Sequence, residues 1–308
     1  MTLKPRALQP GDRLAVVAPA STFDRAEFDR GVEEIRKLGL VPVYDESVFE
    51  RDRYLAGSPE VRATALRAAW NDPSIAGVIG VRGGYGSAQI LPLLNREEAR
   101  RACKPFIGYS DLTAILTFLT IGCDMVAFHG PMLDRRLSKG DAGYDVDSFS
   151  RALTRPDPMG ELSPPGLETI RPGDAKGQLL GGTLTQLLAS IGTPFAFAPP
   201  RGFVLFLDEV RERPYRLDRQ VLQLRQTRVL ARASAIVIGE LPNCDEPKSD
   251  LTGRAVMADL FKDFPGPVLI GFPSGHTTGP AMTLPFGVTT RVIGGARPRL
   301  VIEESAVV

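Results

Sequence analysis

The sequence predicts an α/β protein in which an N-terminal domain with a doubly wound parallel sheet precedes a strand-rich C-terminal α+β domain. Three observations support this prediction. Strand and helix patterns alternate with short loops in the first half, a stretch rich in proline and charge follows, and strand patterns then predominate. Regular alternation of strands and helices is typical of a parallel sheet with helices on both faces.

In the first half, short apolar runs predict strands, and apolar residues three and four positions apart predict helices. The strands are expected at 14–18, 41–43, 75–81, 105–109 and 125–129, and the helices at 24–38, 59–70, 87–94 and 111–121. The helix at 59–70 has a proline in its first turn, where proline is favoured. Ligands of such sheets bind outside the carboxyl ends of the strands, which here precede 82–87 and Ser110.

The second half has a different pattern. One helix ends at Leu188 and another covers about 217–228, while strands are expected at 203–207, 235–238, 268–270, 289–293 and 300–302, with no regular alternation. Between about 135 and 176, charges and prolines mark a connector. We therefore expect an N-terminal domain at 1–135, a linker at 136–176 and a C-terminal domain at 177–308.

Composition and charge argue against several classes of protein. The 308 residues are 43% hydrophobic and 24% charged, and the net charge of +1 favours neither nucleic acid nor an anionic membrane. The N-terminus lacks the apolar region of a signal peptide and no stretch reaches the length of a membrane span, so a cytoplasmic location is expected. Cys103, Cys123 and Cys244 are widely spaced, which disfavours a disulfide framework or a zinc site.

The most informative segment is 104–116, where a strand-like run ends in Gly108-Tyr109-Ser110-Asp111 and a helix pattern begins at once. A serine at a strand-to-helix turn exposes its hydroxyl, and the next amide points toward any developing oxyanion. A nucleophilic hydrolase needs this geometry. The alternative is that Ser110 only caps the helix, and the local sequence alone favours the cap.

The chain has only two histidines, so a histidine base must be His129 or His276. His276 lies in a loop at 271–279 that is rich in glycine and proline, and loops of this kind project side chains over clefts. His129 follows a predicted strand and is equally consistent with a structural histidine. Neither has an acidic neighbour in sequence, so no metal site is expected.

Two further segments are candidates for the site. Asp208 and Glu209 end an apolar run, where burial of a carboxylate is costly without a partner, although a solvated strand end neutralised by nearby arginines is the alternative. Gly83-Gly84-Tyr85-Gly86 follows another strand but lacks the third glycine of the dinucleotide fingerprint. Its amides are able to approach a reacting carbonyl, as an oxyanion hole requires; a phosphate cradle or a plain tight turn are the alternatives.

Taken together and in order, these segments resemble the LD-carboxypeptidase family of serine peptidases, which includes muramoyl-tetrapeptide carboxypeptidases and microcin C immunity-type hydrolases. The resemblance covers nearly the whole chain. Its segments are Pro10-Gly-Asp-Arg-Leu-Ala-Val-Val-Ala-Pro-Ala-Ser21, Arg82-Gly-Gly-Tyr-Gly86, Ile107-Gly-Tyr-Ser-Asp-Leu112, His129-Gly-Pro131, Gly177-Gln-Leu-Leu-Gly-Gly-Thr-Leu184, Ile191-Gly-Thr-Pro194, Leu205-Phe-Leu-Asp-Glu209, Pro214-Tyr-Arg-Leu-Asp-Arg219, Gly275-His276 and Leu284-Pro-Phe-Gly287.

The resemblance implies a catalytic role for several residues. Ser110 matches the nucleophile and His276 the general base, while the amides of Gly84 and Asp111 match the oxyanion hole. The active site then lies at the interface of the two domains.

The acid and the substrate contacts are less defined by the resemblance. The family usually has glutamate and then an acid at the strand end, so Asp208 takes the acid's place by position and Glu209 is the alternative. Thr183 stands where the family often has asparagine. Arg82 and Tyr85, at the glycine turn, are candidate substrate contacts, with a structural ion pair as the alternative for Arg82.

The implied reaction is hydrolysis of the amide bond to the terminal D-alanine of a peptidoglycan tetrapeptide, in murein recycling, without a metal or organic cofactor. The implied partner is a muropeptide or other small peptide, with no nucleic acid or membrane, and family analogy suggests a homodimer.

Three alternatives stay open. One is a microcin immunity-type hydrolase of nucleotide conjugates, which needs an aromatic that stacks on a base near the cleft; Trp70, the only tryptophan, lies in an early helix. Another is a catalytically silent binding protein, if Asp208 fails to orient His276. The third is a phosphate- or nucleotide-binding protein that uses the turn at 83–86.

Overall fold

Two β-sheets organise the chain in the computed structural model, which describes residues 2–308. The strands are β1 (Arg13–Val17), β2 (Val41–Val43), β3 (Ile75–Gly80), β4 (Phe106–Gly108), β5 (Ala127–His129), β6 (Gly160–Leu162), β7 (Glu168–Arg171), β8 (Gly173–Thr183), β9 (Phe203–Asp208), β10 (Ala233–Gly239), β11 (Val268–Phe272), β12 (Leu284–Phe286), β13 (Thr289–Gly294) and β14 (Arg299–Ile302).

The α-helices are α1 (Arg25–Lys37), α2 (Pro59–Asn71), α3 (Ser87–Ile90), α4 (Arg96–Ala102), α5 (Thr113–Thr117), α6 (Val146–Thr154), α7 (Leu184–Ser190), α8 (Pro214–Gln226) and α9 (Gly253–Phe261). Their ends follow from capping residues. Asp24 accepts a hydrogen bond from the third amide of α1, and Ser58 does the same for α2, whose first residue is Pro59.

The first sheet has the strand order β12-β5-β4-β3-β1-β2. The five strands of the N-terminal part run parallel, and β12 pairs antiparallel with β5. Their apolar residues are buried because helices cover the sheet; Phe28, Val32 and Ile35 of α1, for example, are buried at helical spacing. The prediction of a doubly wound parallel sheet is confirmed, with an added edge strand from the C-terminal part.

The second sheet has the order β6-β14-β13-β8-β9-β10-β11-β7. Its central strands β8 to β11 are parallel and are joined by α7, α8 and α9, whereas the four outer strands are antiparallel to their neighbours. The domain is strand-rich, as predicted, but its centre does alternate strand with helix. This alternation was not predicted, because α9 buries only Gly253, Met257 and Phe261 and its apolar stripe is weak.

The stretch at 136–176, the predicted linker, is folded. It contains a 3-10 helix (Leu137–Ala142), α6, and the strands β6 and β7. Phe149 and Leu153 of α6 are buried in the core of the first sheet. The prolines and charges of this stretch therefore separate short helices and strands.

The faces of β9 decide where the groups after it point. Val204 and Phe206 belong to the core that continues under the first sheet, whereas Phe203, Leu205 and Leu207 belong to the separate core under α7 and α8. Burying each of these side chains contributes about 1.5–3 kcal/mol, so the register of β9 is strongly specified. Since alternate residues share a face, position 208 faces the first domain and position 209 faces the helices.

Candidate active site

Ser110 lies at the sharp turn between β4 and the helices that follow. Its φ angle is +61°, an uncommon conformation for a residue with a side chain, and such backbone strain costs about 1–3 kcal/mol. The 3-10 helix Ser110–Leu112 has Tyr109 as its capping residue and no side-chain cap. Helix capping by Ser110 is therefore not what the structure shows, and the half-exposed side chain is presented at a strained elbow.

The glycine turn packs against this elbow. A Cβ atom on Gly83 would lie 3.0 Å from Ser110 Cβ and 3.1 Å from the amide nitrogen of Asp111, so a larger residue would require the elbow to shift by a few tenths of an ångström. Gly84 is exposed with a φ of +88°, and within residues 2–308 its amide donates no hydrogen bond. The turn and the elbow thus bring two predicted amide donors close to Ser110.

A buried hydrogen-bond network holds the turn and the elbow together. The amide of Ser87 donates to Asp111 Oδ2 at 2.8 Å, and the Ser87 hydroxyl donates to the carbonyl of Asp111 at 2.6 Å. Burial raises the pKa of the Asp111 carboxyl, although the bonds from Ser87 oppose this rise. Arg62, buried on α2, donates to the carbonyls of Gly86 at 2.8 Å and Pro19 at 2.9 Å.

His276 is held by Asp208, which is completely buried at the end of β9. Asp208 Oδ2 lies 2.7 Å from His276 Nδ1, and Oδ1 accepts from the His276 amide at 3.1 Å. A carboxylate only accepts, so Nδ1 carries the hydrogen and Nε2 has a free lone pair. A Cβ on Gly275, whose φ is +73°, would lie 2.6 Å from Asp208 Oδ2, so glycine is needed for this approach.

Burial and charge act against each other in this pair. Burial alone disfavours the charged forms of both groups, but the mutual attraction and the hydrogen bonds outweigh it. The pKa of Asp208 is consequently lowered and that of His276 is raised relative to their ordinary values. Asp208 therefore stays ionised beside the imidazole.

Glu209 does not share this site. Its Oε2 accepts from the amide and the hydroxyl of Thr185 at 2.9 and 2.6 Å, and its Oε1 accepts from the Val210 amide at 3.0 Å. The two bonds from Thr185 lie at the N-terminus of α7, where a carboxylate is favoured. The two candidate acids thus have separate partners, and Asp208 is the one in contact with His276.

Thr183, at the end of β8, connects the two halves of the site. Its hydroxyl donates to Asp208 Oδ2 at 3.2 Å, and its amide donates to Thr113 Oγ1 at 3.1 Å. Thr113 begins α5, three residues after Ser110. This chain of contacts fixes the buried carboxylate relative to the elbow, a role that the sequence does not reveal.

Ser110 and His276 line one cavity of about 490 Å³ between the two halves of the chain. The Tyr109 ring meets the His276 ring edge to face, with their centroids 5.1 Å apart. The lining residues of the first half include Arg82, Gly83, Gly84, Ser110, Arg135 and Lys139, and those of the second half include Val210, Arg211, Asn243, His276 and Thr278.

The two predicted substrate contacts lie in different places. Arg82 lines the cavity, but its guanidinium is paired with buried Asp134 at 3.0 Å, which agrees with the ion-pair alternative. Tyr85 is not part of the lining. The residue is 49% exposed, and its ring centroid lies 5.9 Å from that of Tyr54, beside the glycine turn.

His129 is completely buried and does not line the cavity. Its Nδ1 lies 3.0 Å from the hydroxyl of Ser274, which donates to the Met282 carbonyl at 2.8 Å, so Nδ1 must be the donor. Burial lowers the pKa of His129 to about 4, and its Nε2 lies 4.0 Å from Asp208 Oδ2. It is thus a neutral histidine behind the site.

Two arginines beside the site, Arg62 and Arg136, were not predicted from the sequence. Arg62 shares the buried face of α2 with Leu66 and Ala69. A charged residue within this apolar stripe was the feature of the sequence that could have indicated a buried role for Arg62. Arg136 bonds to backbone carbonyls that are distant in sequence, as described below, and no local pattern marks it.

Residues 2–308 lack two other features. Nowhere in this part of the chain do three or more histidine, cysteine or acidic side chains group so as to hold a metal ion. No helix there has both the length and the apolar character needed to cross a membrane.

The family profiles match both halves of the chain. The profile of the LD-carboxypeptidase N-terminal domain matches residues 14–130, and that of the C-terminal domain matches residues 176–292. The chain belongs to the LD-carboxypeptidase family. The resemblance in the sequence is thereby confirmed, with Ser110 in the first matched domain and Asp208 and His276 in the second.

Several family members are similar over most of their length. A putative carboxypeptidase of Streptomyces coelicolor is 36% identical, covering 93% of this chain and 92% of the relative. A probable murein peptide carboxypeptidase of Bacillus subtilis is 32% identical, covering 93% and 90%. The microcin C7 self-immunity protein MccF of Escherichia coli is 28% identical, covering 88% and 86%. The chain is thus similar to carboxypeptidases and to an immunity protein.

Solved structures of the family share the fold. A structure of MccF in complex with aspartyl sulfamoyl adenosine has a TM-score of 0.92 at 23% identity, covering 99% of this chain and 100% of the other. The muramoyltetrapeptide carboxypeptidase of Oxalobacter formigenes has a TM-score of 0.82 at 26% identity, covering 94% and 97%. The mixed α/β fold with two sheets is therefore that of LD-carboxypeptidase family members.

Proposed function

We propose that this family member is a serine-type LD-carboxypeptidase that releases the terminal D-alanine from peptidoglycan tetrapeptides. The observation that carries the proposal is the 2.7 Å contact between buried Asp208 and His276, which lines the same cavity as Ser110. A nucleophile at a strained elbow, a base with a free Nε2 and a buried acid make up the serine–histidine–acid arrangement.

The first chemical step joins Ser110 to the substrate. Ser110 Oγ attacks the carbonyl carbon of the amide bond, and its proton passes to Nε2 of His276, which becomes an imidazolium beside ionised Asp208. The carbonyl oxygen becomes an oxyanion, which the amides of Gly84 and Asp111 stabilise. His276 then gives the proton to the leaving nitrogen of D-alanine, and an ester of Ser110 is left.

The second step restores the enzyme. A water molecule loses a proton to His276 and attacks the ester carbonyl, and the same two amides stabilise the second oxyanion. The proton returns to Ser110 Oγ as the shortened peptide leaves. No metal or organic cofactor takes part in this scheme.

The charge of the cavity supports an anionic substrate. Asp134 pairs with Arg82 and lies 3.9 Å from Arg135, whereas Lys139 and Arg211 line the cavity without an acidic partner within residues 2–308. A stem peptide that ends in D-alanine carries its own terminal carboxylate, and these two cations are the free groups available to attract it. The murein peptide carboxypeptidases among the relatives support the same substrate class.

The alternative within the family is a hydrolase of nucleotide conjugates. It is supported by the similarity to MccF and by the exposed Tyr54 and Tyr85 rings beside the glycine turn, since aromatic rings stack on nucleobases. The silent binding protein has less support, because it required that Asp208 fail to orient His276.

The test is release of D-alanine from purified muramoyl-tetrapeptide by the wild type, by Ser110→Ala and by Ser74→Ala, a control at an exposed turn. We expect release by the wild type and the control, and a loss of about 10⁶-fold in kcat for Ser110→Ala. Hydrolysis of aspartyl sulfamoyl adenosine but not of the tetrapeptide would favour the immunity-type enzyme. Turnover of neither compound by folded protein would contradict both proposals.

A further inference from the structure

Arg136 lines the cavity beside the loop that carries His276, and all its donors have partners. Its guanidinium donates to five groups, and these acceptors are the carbonyls of Gly275 at 2.8 Å, Thr277 at 3.0 Å, Gly279 at 3.1 Å and Gly143 at 3.2 Å, and the Tyr109 hydroxyl at 3.4 Å. A guanidinium has five N–H groups. The guanidinium therefore has no N–H group left without a protein acceptor.

Two of these acceptors flank the proposed base directly. Gly275 and Thr277 are the residues on either side of His276, and the carbonyls of both accept from the same terminal nitrogen of Arg136. The loop around them is rich in glycine and proline and has little regular structure of its own. Such a loop needs outside contacts to hold one conformation.

We propose that Arg136 is a positioning residue that fixes the imidazole of His276 in its productive orientation. Asp208 holds one side of the histidine through Nδ1 and the amide, and Arg136 holds the main chain before and after it. The inference rests on the proposed function in assigning His276 as the base. According to this inference, Arg136 of the first half of the chain aligns the His276 imidazole of the second half.

An anchor for a substrate carboxylate is the competing role for an arginine in this cavity. It conflicts with the hydrogen bonds, because a substrate would have to displace a carbonyl that Arg136 already holds. Leaving a buried acceptor unpaired costs about 1–3 kcal/mol. Lys139 and Arg211 have no such partners and are better suited to that role.

Arg136 also acts on His276 through its charge. The pKa of His276 is the balance of burial, which lowers it, the negative charges of Asp208 and Glu209, which raise it, and the positive charge of Arg136, which lowers it. The other titratable groups in contact with this pair are Tyr109, against both side chains, and His129, behind Asp208. Removal of the Arg136 charge alone should therefore raise the pKa of His276.

The experiment compares Arg136→Lys and Arg136→Met with the wild type and with Arg155→Met, a control at an exposed position outside the cavity. Steady-state D-alanine release is measured as a function of pH. We expect kcat to fall about 10²-fold in both Arg136 variants, as for a misplacement of about 1 Å, with KM within about twofold. The acid limb of the profile should move to higher pH in Arg136→Met and stay in place in Arg136→Lys, which keeps the charge.

A second measurement keeps the inference independent of the substrate. The two imidazole C2–H resonances are titrated by NMR in the same proteins, without substrate. A higher titration midpoint for His276 in Arg136→Met supports the contact even if the wild type releases no D-alanine, an outcome that would count against the proposed function alone. Two results would overturn the inference. A raised KM with unchanged kcat in the Arg136 variants would identify Arg136 as a substrate anchor, and an unchanged kcat with an unchanged His276 midpoint would show that Arg136 does not act on His276. If Arg136→Met does not fold, the inference is judged on Arg136→Lys alone. Loss of kcat without a change of KM in that variant would support the positioning role, and unchanged kcat would overturn it.

Discussion

Asp208 and Glu209 are adjacent in the chain but serve different parts of the molecule. The alternation of side chains along β9 directs Asp208 to the cavity side and Glu209 to the start of α7. Asp208 contacts the imidazole, whereas Glu209 accepts three hydrogen bonds from Thr185 and Val210. Their chemical similarity therefore hides two separate roles.

The two carboxylates should respond differently to neutral substitution. We expect Asp208→Asn to lower kcat about 10⁴-fold, because an amide does not hold the required histidine tautomer. Glu209→Gln should leave kcat within about tenfold and lower the stability by about 0.5–2 kcal/mol, through loss of the negative charge and bonds at the N-terminus of α7. Tetrapeptide kinetics and urea unfolding measure the two effects, and the reverse order of kcat losses would assign the acid to Glu209.

The two histidines should titrate in different pH ranges. His276 has a pKa raised above its usual 6.5, whereas burial lowers that of His129 to about 4. As the pH rises through the pKa of His276, the neutral base forms, so kcat/KM should increase with pH across that range.

NMR of the imidazole C2–H signals is the direct check. One resonance should titrate with a midpoint above 6.5, and the other should remain unchanged down to about pH 5. A Ser110→Ala background keeps both histidines and removes turnover during the measurement. Two midpoints near 6.5 would contradict the burial of His129 and its neutral state.

The glycine turn and the elbow work as one element because they are in close contact. A Cβ on Gly83 would make a tight contact with Ser110, and Ser87, Asp111 and Arg62 hold the surrounding backbone. The geometry of the predicted oxyanion hole thus depends on the packing behind it. Small displacements of the glycine turn should therefore move Ser110.

Gly83→Ala should impair turnover more than stability. The added methyl would lie 3.0 Å from Ser110 Cβ, which forces a shift of the elbow, and kcat should fall about tenfold to 10²-fold. Gly295→Ala is the matched control, since no atom lies within 4 Å of its Cβ position. Kinetics and thermal unfolding of both variants provide the comparison. Wild-type kcat in Gly83→Ala would mean that the turn does not position the amides.

The elements show where patterns in sequence were sufficient and where they were not. The five parallel strands of the first sheet and the amphipathic helix α1 were predicted from their apolar residues. Helix α9 was missed because it has few buried apolar residues, and α6 was missed in a stretch with many prolines. The strand β12 pairs with β5, a partner 155 positions earlier at the pair Leu284 and His129, which no local pattern indicates.

The cavity lies where both halves of the chain meet, and its charge is shared between them. Lys139 comes from the first half and Arg211 from the second, and both side chains are exposed. A substrate with carboxylates at more than one point would contact both walls. The cavity therefore predicts a preference for anionic peptides over neutral ones.

Removal of these cations should weaken binding without changing the chemistry. We expect Lys139→Met and Arg211→Met each to raise KM up to about fivefold, as for exposed ion pairs, with kcat unchanged. The effect should shrink for a tetrapeptide whose side-chain carboxylates are amidated and in high salt. Michaelis constants for both peptides test this. Equal KM values in all variants would show that the cations do not contact the substrate.

The order of short motifs in the chain was enough to identify the family and the candidate residues Ser110 and His276, because turns and strand ends are specified by neighbouring residues. Their catalytic roles remain predictions. Whether Asp208 or Glu209 contacts the histidine depended on the register of β9, and the contact joins residues 68 positions apart. Arg136 reaches a loop 139 positions away. Such contacts follow from how the two sheets pack on each other, and side-chain periodicity along one strand or helix carries no information about that packing.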